Sequence, residues 1–129
     1  MNILMAFNIK QITPLLLVAD LEQAIAFYVE QLGFTLTFVY EDFYAGIEKD
    51  GHSIHLKTDY RAFKEKPVRN YNYELDLLFS VDDVATLFEE ISKKDIEIVQ
   101  PLREMPYGEE FYISDPDGHV IAFVESVNE

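Results

Sequence analysis

The stretch Ile12–Phe38, ITPLLLVADLEQAIAFYVEQLGFTLTF, predicts a strand, a helix and a second strand. Ile12–Val18 is an apolar run of strand length, and Asp20 is a favourable helix N-cap because its carboxylate can accept hydrogen bonds from the first turn. The helix then carries one apolar stripe with helical spacing, made of Leu21, Ala24, Ile25, Tyr28, Val29 and Leu32. Gly33 suits the position beyond a helix end, and Phe34–Phe38 alternates with strand period.

Two further strands complete this first unit. Phe43–Glu48 and Ser53–Thr58 flank an Asp50-Gly51 pair, which is a strong hairpin signal because both residue types tolerate the backbone angles of a tight turn. The unit therefore reads strand–helix–strand–strand–strand.

The same signals return in the same order about sixty residues later. Asp82 or Asp83 is the predicted cap of the second helix, and a DPDGH turn precedes the last strand. The charged stretch PLREMPYGEE, 101–110, reads as a loop. The strands of this second unit are predicted at Tyr73–Val81, Ile96–Gln100, Phe111–Ser114 and Val120–Val124.

This duplication predicts an α+β fold built from tandem βαβββ modules. Module one spans about 10–58 and module two about 73–127, with a linker at 59–72. Their sheets are expected to form a cupped, barrel-like mixed sheet with the helices outside. We expect residues 1–129 to form one domain, since the chain is too short for two ordinary ones.

The composition excludes several functions. The chain carries 24 acidic and 10 basic residues, and this net charge of −14 argues against nucleic-acid binding, which needs clustered Lys and Arg. The absence of cysteine excludes disulfides and thiolate metal sites. No apolar run approaches the roughly 18–20 residues of a membrane span, so we expect no membrane partner. The absence of cysteine fits a cytoplasmic protein, which is the location we expect.

The motif VADLEQAIAFYVEQLGF at Val18–Phe34, with the later DPDGH at Asp115–His119, resembles the vicinal oxygen chelate superfamily. Its members include glyoxalase I, extradiol dioxygenases, fosfomycin-resistance transferases and bleomycin-resistance proteins. In the metal-dependent members, the resemblance implies a cup lined by His, Glu or Gln at one position on each of four strands. By position, these sites correspond here to Thr13, His55, Asp76 and Ala122.

Only His55 and Asp76 among these four are metal ligands of the usual kind. A catalytic divalent ion generally has three protein ligands and an open position. We therefore predict a protein without a metal or other cofactor, similar to the bleomycin-resistance branch. Two alternatives stay open: a metal-dependent lyase, isomerase or dioxygenase that uses His55 and Asp76, and a non-catalytic partner domain with an empty cup.

The predicted ligand is an aromatic small molecule, with a positive charge as one option, because aromatic walls and acidic rims favour such compounds. The resemblance also implies a homodimer with pockets formed partly across the interface. Asp76 is expected to pair with His55, Lys57 or Arg103, or to act as a base for proton abstraction. His52 and His119 follow glycines in turns and are expected to be exposed. Aromatic residues expected in the cup, beside the four positions above, are Phe43, Tyr60, Phe63, Tyr107 and Phe111.

Overall fold

The computed structural model describes residues 5–59 and 74–127. Most of the predicted linker lies outside these residues, as do Tyr60 and Phe63. The first module contains β1 Leu15–Val18, α1 Leu21–Ala26, β2 Thr35–Tyr40, β3 Tyr44–Lys49 and β4 His52–Thr58. The second contains β5 Leu77–Ser80, α2 Val84–Ser92, β6 Glu97–Met105, β7 Gly108–Ser114 and β8 Val120–Ser126.

The two modules have the same topology. The first sheet has the order β1-β4-β3-β2, and the second has the order β5-β8-β7-β6. In each sheet the first and last strands of the module pair in parallel and the other neighbours are antiparallel. The predicted α+β fold with duplicated βαβββ modules is confirmed, and the two sheets are cupped rather than closed into a barrel.

The helix caps occupy equivalent places in the two modules. The carboxylate of Asp20 accepts a hydrogen bond from the backbone of Gln23 at 3.1 Å, and that of Asp83 accepts one from the backbone of Thr86 at 3.2 Å. Each bond satisfies an amide hydrogen that the first helical turn leaves without a partner. No helix in the described part of the chain is long and apolar enough to cross a membrane.

The first helix continues past α1 as a π-helical segment, Phe27–Gln31. Phe27 and Tyr28 are both buried. Of these two residues, only Tyr28 belonged to the predicted apolar stripe. A π-helical turn contains more residues than an α-helical turn, so it changes which side chains face the core. The two rings pack edge to face with centroids 5.1 Å apart.

The predicted loop at 101–110 is wrong, because this stretch forms most of a hairpin. β6 runs to Met105, and Arg103 and Met105 pair with Glu110 and Gly108 across the turn. β6 is an edge strand with irregular register between Gln100 and Arg103. Pro101 is tolerated in this part of an edge strand, because its missing N–H does not remove a hydrogen bond that the sheet needs.

One hydrophobic core joins the helix-facing sides of both sheets. Phe34 of the first module contacts Phe79 of the second, with ring centroids 6.1 Å apart. Phe111 is fully buried in this core and stacks on Phe123 at 4.9 Å. The side of each sheet that faces away from its helix is not part of this core, and it forms a separate surface.

Candidate functional site

Strand register identifies the side chains on the face of each sheet opposite its helix, which we call the concave face. In β4, Ile54 and Leu56 are buried in the core, so His55 between them points to the concave face. Leu15 lies opposite His55, and Thr13 shares its alternation two residues earlier.

The concave face of the second sheet follows from the same reasoning. Ile121 and Phe123 are buried in the core, and Ala122 between them lies opposite both Leu78 and Tyr112. Asp76 shares the alternation of Leu78 two residues earlier. All four positions that sequence analysis assigned to the cup thus have the parity of the concave faces.

Three aromatic rings and His55 form a continuous cluster on the first concave face, which we call the aromatic patch. Phe38 stacks on Tyr44 at 6.1 Å with an interplanar angle of 15°, and its ring meets the His55 imidazole edge to face at 5.2 Å. The Tyr44 hydroxyl and His55 Nδ1 are joined by a hydrogen bond of 2.8 Å. Tyr40 extends the cluster and is 63% exposed.

Gly46 provides the space for this arrangement. It lies opposite both Phe38 and His55 in the sheet. A methyl group added to Gly46 would approach Cε1 of Phe38 to 2.1 Å, so the ring lies directly on the glycine backbone. The absence of a side chain at Gly46 therefore allows the Phe38 ring to lie directly on the sheet.

Polar side chains form a second cluster, on the concave face of the second sheet. Glu110 is only 2% exposed, and its carboxylate pairs with Arg103 at 2.7 Å. The hydroxyls of Tyr107 and Tyr112 also donate to this carboxylate. Gln100 accepts a bond from Arg103 at 3.2 Å. We call these five residues the Arg103 cluster.

Hydrogen bonding sets the ionisation of this cluster. Burial opposes the charge of Glu110, but bonds from Tyr107, Arg103 and Tyr112 outweigh it and lower the pKa of Glu110. Burial and the bond to Glu110 raise the pKa of Tyr107 to about 12. Glu110 is therefore an anion at neutral pH, and Tyr107 keeps its proton.

A third cluster lies in the DPDGH turn, between the modules. Asp115 is 1% exposed and accepts four hydrogen bonds, from the backbone of Asp117 and His119, from the Tyr28 hydroxyl and from His119 Nδ1. The bond from Tyr28, at 2.7 Å, comes from the other module. Ala19 of that module donates its backbone N–H to Asp117 at 2.8 Å. The turn therefore ties the two modules together.

His119 is half-buried, with a side chain 14% exposed, so the prediction of an exposed His119 is wrong, whereas His52 is exposed as predicted. Burial lowers the pKa of His119, but the bond to Asp115 and the charges of Asp115, Asp76 and Asp117 raise it on balance. When the imidazole is protonated, it compensates the charge of a carboxylate that has little contact with water.

This histidine predicts a pH dependence of stability. Because folding raises its pKa above 6.5, its contribution is complete below pH 6.5 and is lost as the pH rises through the folded-state pKa. The unfolding midpoint in urea should therefore fall above about pH 6.5. Burial raises the pKa of Asp117 above its usual value of 3.8. This carboxyl therefore affects stability over a separate, lower range of pH.

A His119→Gln variant should lose this decline. The matched control is His52→Gln, which removes an exposed histidine from the β3–β4 hairpin and should leave the profile unchanged. A decline of the same size in wild type and His119→Gln would contradict the assignment.

Of the four cup positions, only His55 and Asp76 carry donor atoms that divalent metal ions commonly use. Ala122 offers no donor, and Thr13 is a poor one. His55 Nδ1 is bonded to Tyr44, and a carboxylate oxygen of Asp76 accepts a bond of 2.8 Å from the backbone of Val120. Of the partners expected for Asp76, Arg103 pairs with Glu110 instead.

Within the described ranges, one trio of side chains brings three possible ligand atoms within 4.8 Å of one another: Asp115, Asp117 and His119. It lies in the turn between the modules. The Asp115 carboxylate there already accepts four hydrogen bonds, so the trio works as a hydrogen-bonded link.

The other residues expected in the cup have different surroundings. Phe43 is half-buried in the turn between β2 and β3, and Tyr107 is in the Arg103 cluster. Phe111 belongs to the core and does not face the cup. Tyr60 and Phe63 lie outside the described residues.

Sequence reasoning missed Phe38 and Arg103 as site residues. The alternation of Phe38 with Tyr40 was a usable signal for the first. The predicted loop concealed the second, because a loop gives no face on which Arg103 and Glu110 meet.

A groove of about 1140 Å³ also lies between the modules, on the helix side. Its walls include Phe34, Phe79 and Phe123, which are side chains of the core, and its rim includes Lys49 and Lys94. The four predicted cup positions do not line it. Leu78, which lies on the second concave face, is nevertheless among the residues that line the groove.

Comparisons with known proteins agree with this fold. The family model of the glyoxalase/bleomycin resistance protein/dioxygenase superfamily matches residues 8–123. TioX from Micromonospora sp. ML1 is 20% identical, with a TM-score of 0.72 over 92% of this chain and 99% of that chain. A comparison with curated proteins found no match.

Two further solved structures have the same fold. The bleomycin-binding protein from Streptomyces verticillus, solved with copper(II)-bleomycin, is 20% identical, with a TM-score of 0.66 over 94% of this chain and 99% of that chain. A virulence protein from Salmonella typhimurium is 28% identical, with a TM-score of 0.68 over 94% of this chain and 100% of that chain.

Proposed function

Because the chain belongs to the glyoxalase/bleomycin resistance protein/dioxygenase superfamily, we propose that it binds and sequesters an aromatic small molecule on its concave faces, without a metal ion. The observation that carries this proposal is the aromatic patch. Three rings and an imidazole share one sheet face there, in contact with one another, and one of the rings is 63% exposed.

The patch suits a flat ligand because its parts are fixed before binding. Phe38 rests on Gly46 and Tyr44, and Tyr44 is bonded to His55. Rigid rings lose little conformational freedom when a ligand stacks on them. Each favourable aromatic contact contributes about 0.5–1.5 kcal/mol beyond the burial of apolar area.

We propose binding without a metal ion because of the residue types at the four cup positions. A bound divalent ion would need a third protein ligand besides His55 and Asp76, and Thr13 and Ala122 are unsuited to supply it. Binding of the ligand without a reaction therefore requires no metal ion and no further protein ligand for one.

The proposal includes a homodimer. Leu15 and Leu78 lie on the two concave faces and are 49% and 59% exposed in the single chain. Exposed apolar side chains on a concave surface favour closure by another surface, and a second copy offers the complementary face. Sedimentation should therefore give about twice the mass of the 15.0 kDa chain; a monomer at micromolar concentration would refute the dimer.

The test is direct binding to a panel of flat aromatic probes. We suggest neutral naphthamide, cationic ethidium and copper(II)-bleomycin, the last because a protein of the same fold was solved with it. Calorimetry on protein treated with a chelator should detect at least one of them.

Replacing Phe38 with Ala should weaken that binding roughly tenfold, since it removes the central ring of the patch. Val39→Ala is the matched control, because Val39 is the next residue of the same strand and faces the other side of the sheet. Equal losses in the two variants would refute the assignment of the ligand to the concave face. Binding that requires added zinc, nickel, manganese or iron would favour the metal-dependent enzyme.

A further inference from the structure

Strand register arranges the first concave face in rows that run across the sheet. One row, from β1 to β2, consists of Leu15, His55, Gly46 and Phe38. The neighbouring row consists of Leu17, Lys57, Tyr44 and Tyr40. Two side chains with nitrogen donors, His55 and Lys57, therefore lie on the same face of β4, with Cα atoms about 7 Å apart. Lys57 adds a positive charge beside the aromatic patch, because it lies directly opposite Tyr44.

We propose that His55 and Lys57 together bind an ionised ring oxygen of the aromatic ligand, so that the ligand is a planar phenolate or enolate. This inference rests on the proposed function and names the class of ligand for that same site. It gives the ligand a negative charge, where composition had left a positive charge as an option.

His55 keeps one ring nitrogen for a ligand. Its Nδ1 is joined to the Tyr44 hydroxyl by a bond of 2.8 Å, and its Nε2 has no hydrogen-bond partner among the described residues. A hydroxyl that donates to Nδ1 leaves the proton of a neutral imidazole on Nε2. An imidazolium also carries a proton there. In both states, His55 offers one N–H to an acceptor oxygen.

Lys57 is an exposed cation whose charge is not neutralised by a neighbour. No carboxylate among the described residues forms an ion pair with it, and this includes Glu41 and Asp42 in the turn after β2. Glu48 shares the concave face, but its carboxylate accepts the backbone N–H of Gly51 at 2.6 Å in the next turn. The ammonium group of Lys57 is therefore free to bind an anion of the ligand.

Accessible side chains flank the two donors. Leu15, opposite His55, is 49% exposed, and Tyr40, in the row of Lys57, is 63% exposed. Two rings of the patch contact the imidazole edge to face, with centroids 5.2 and 5.4 Å away. A flat ligand on this surface covers its own ring oxygen, and the two nitrogen donors then replace the water that this oxygen loses.

The test compares the acidic hydroxycoumarin from which dicoumarol is built, an enolate at neutral pH, with its methyl ether, which has nearly the same shape and no charge. Calorimetry on chelator-treated wild-type protein should show roughly tenfold tighter binding of hydroxycoumarin. Lys57→Met removes the exposed cation and should abolish most of this difference, with little change for methoxycoumarin.

Lys93→Met is the matched control, since it removes one exposed positive charge beyond the end of α2. It should leave both affinities unchanged.

Nitrogen NMR of the imidazole rings tests the part of His55. Its Nε2 resonance should shift when hydroxycoumarin is added, whereas the resonances of exposed His52 in the β3–β4 hairpin should not move. Tyr44→Phe keeps the ring and removes the bond to Nδ1. This variant should weaken the binding of hydroxycoumarin more than that of methoxycoumarin.

The outcomes separate this inference from the proposed function. The anionic oxygen is overturned, and capture of an aromatic ligand stands, if methoxycoumarin binds as tightly as hydroxycoumarin, if Lys57→Met leaves their difference unchanged, or if His55 Nε2 does not respond. Failure of both coumarins while another probe binds has the same meaning. If the coumarins, naphthamide, ethidium and copper(II)-bleomycin all fail to bind the wild-type protein, both proposals fail.

Discussion

Replacing Asp115 with Ala is expected to destabilise the fold by about 3–5 kcal/mol, the usual cost of breaking a buried charged network. The change removes an acceptor that is 1% exposed and serves four donors. It leaves the Tyr28 hydroxyl and two backbone N–H groups buried without that acceptor, and it leaves His119 without its carboxylate. Because domains of this size are stable by only about 5–15 kcal/mol, most of the folded population should be lost in moderate urea.

Tyr28→Phe is the matched control for this prediction. It removes one of the four bonds and keeps the ring, which packs against Phe27 and Phe34. We expect it to cost about 1–2 kcal/mol, near the net value of one hydrogen bond to a charged group. If urea denaturation shows that Asp115→Ala costs no more than Tyr28→Phe, the turn does not hold the modules together as described.

Replacing Gly108 with Ala is expected to destabilise the protein by more than about 3 kcal/mol, since it combines an unfavourable backbone angle with a steric clash. Gly108 has φ +143° at the start of β7. A methyl group there would lie 2.1 Å from the carbonyl oxygen of Glu125 and 3.0 Å from Cα of Ser126. Both obstacles are backbone atoms of the neighbouring strand, so a side-chain rotation cannot relieve them.

Gly51→Ala separates the two effects. Gly51 also has a positive φ, +84°, but an added methyl group would have no atom within 4 Å. We expect this control to cost about 1 kcal/mol, the usual strain of a left-handed backbone. Equal unfolding free energies for the two variants would mean that β7 and β8 do not approach as closely as the structure shows.

The fold was largely predictable because its signals are local and occur twice. Asp20 and Asp83 cap their helices at equivalent places, and Asp50-Gly51 forms the expected turn, with φ of +53° and +84°. A pattern that recurs in the same order supports each of its parts. The cup positions could also be placed by parity, since Ile54 and Leu56 define the buried side of β4.

The composition of the site was harder to predict because it depends on strand pairing. Phe111 and Tyr112 are adjacent aromatic residues in β7, and their order does not show which one faces the core. The register decides this: Phe111 lies opposite buried Phe123, and Tyr112 lies opposite Ala122. Arg103 and Glu110 are similarly close only because β6 and β7 form a hairpin.

The burial of His119 follows from a network that spans the two modules. Asp115 accepts bonds from His119 and from Tyr28, which is 87 residues away in the chain. The DPDGH motif indicated a turn, but a local motif does not reveal a partner so distant in sequence. Hydrogen bonds between side chains so far apart in the chain therefore could not be predicted from the sequence.

Mapping of an aromatic probe by NMR tests the central claim most directly. We would titrate chelator-treated, isotope-labelled protein with naphthamide, which is neutral and therefore independent of the role of Lys57. The account predicts amide shifts centred on Phe38, Tyr44 and His55, without added metal. Shifts confined to the groove between the modules, around Leu32 and Lys94, or shifts that appear only after zinc or nickel is added, would contradict it.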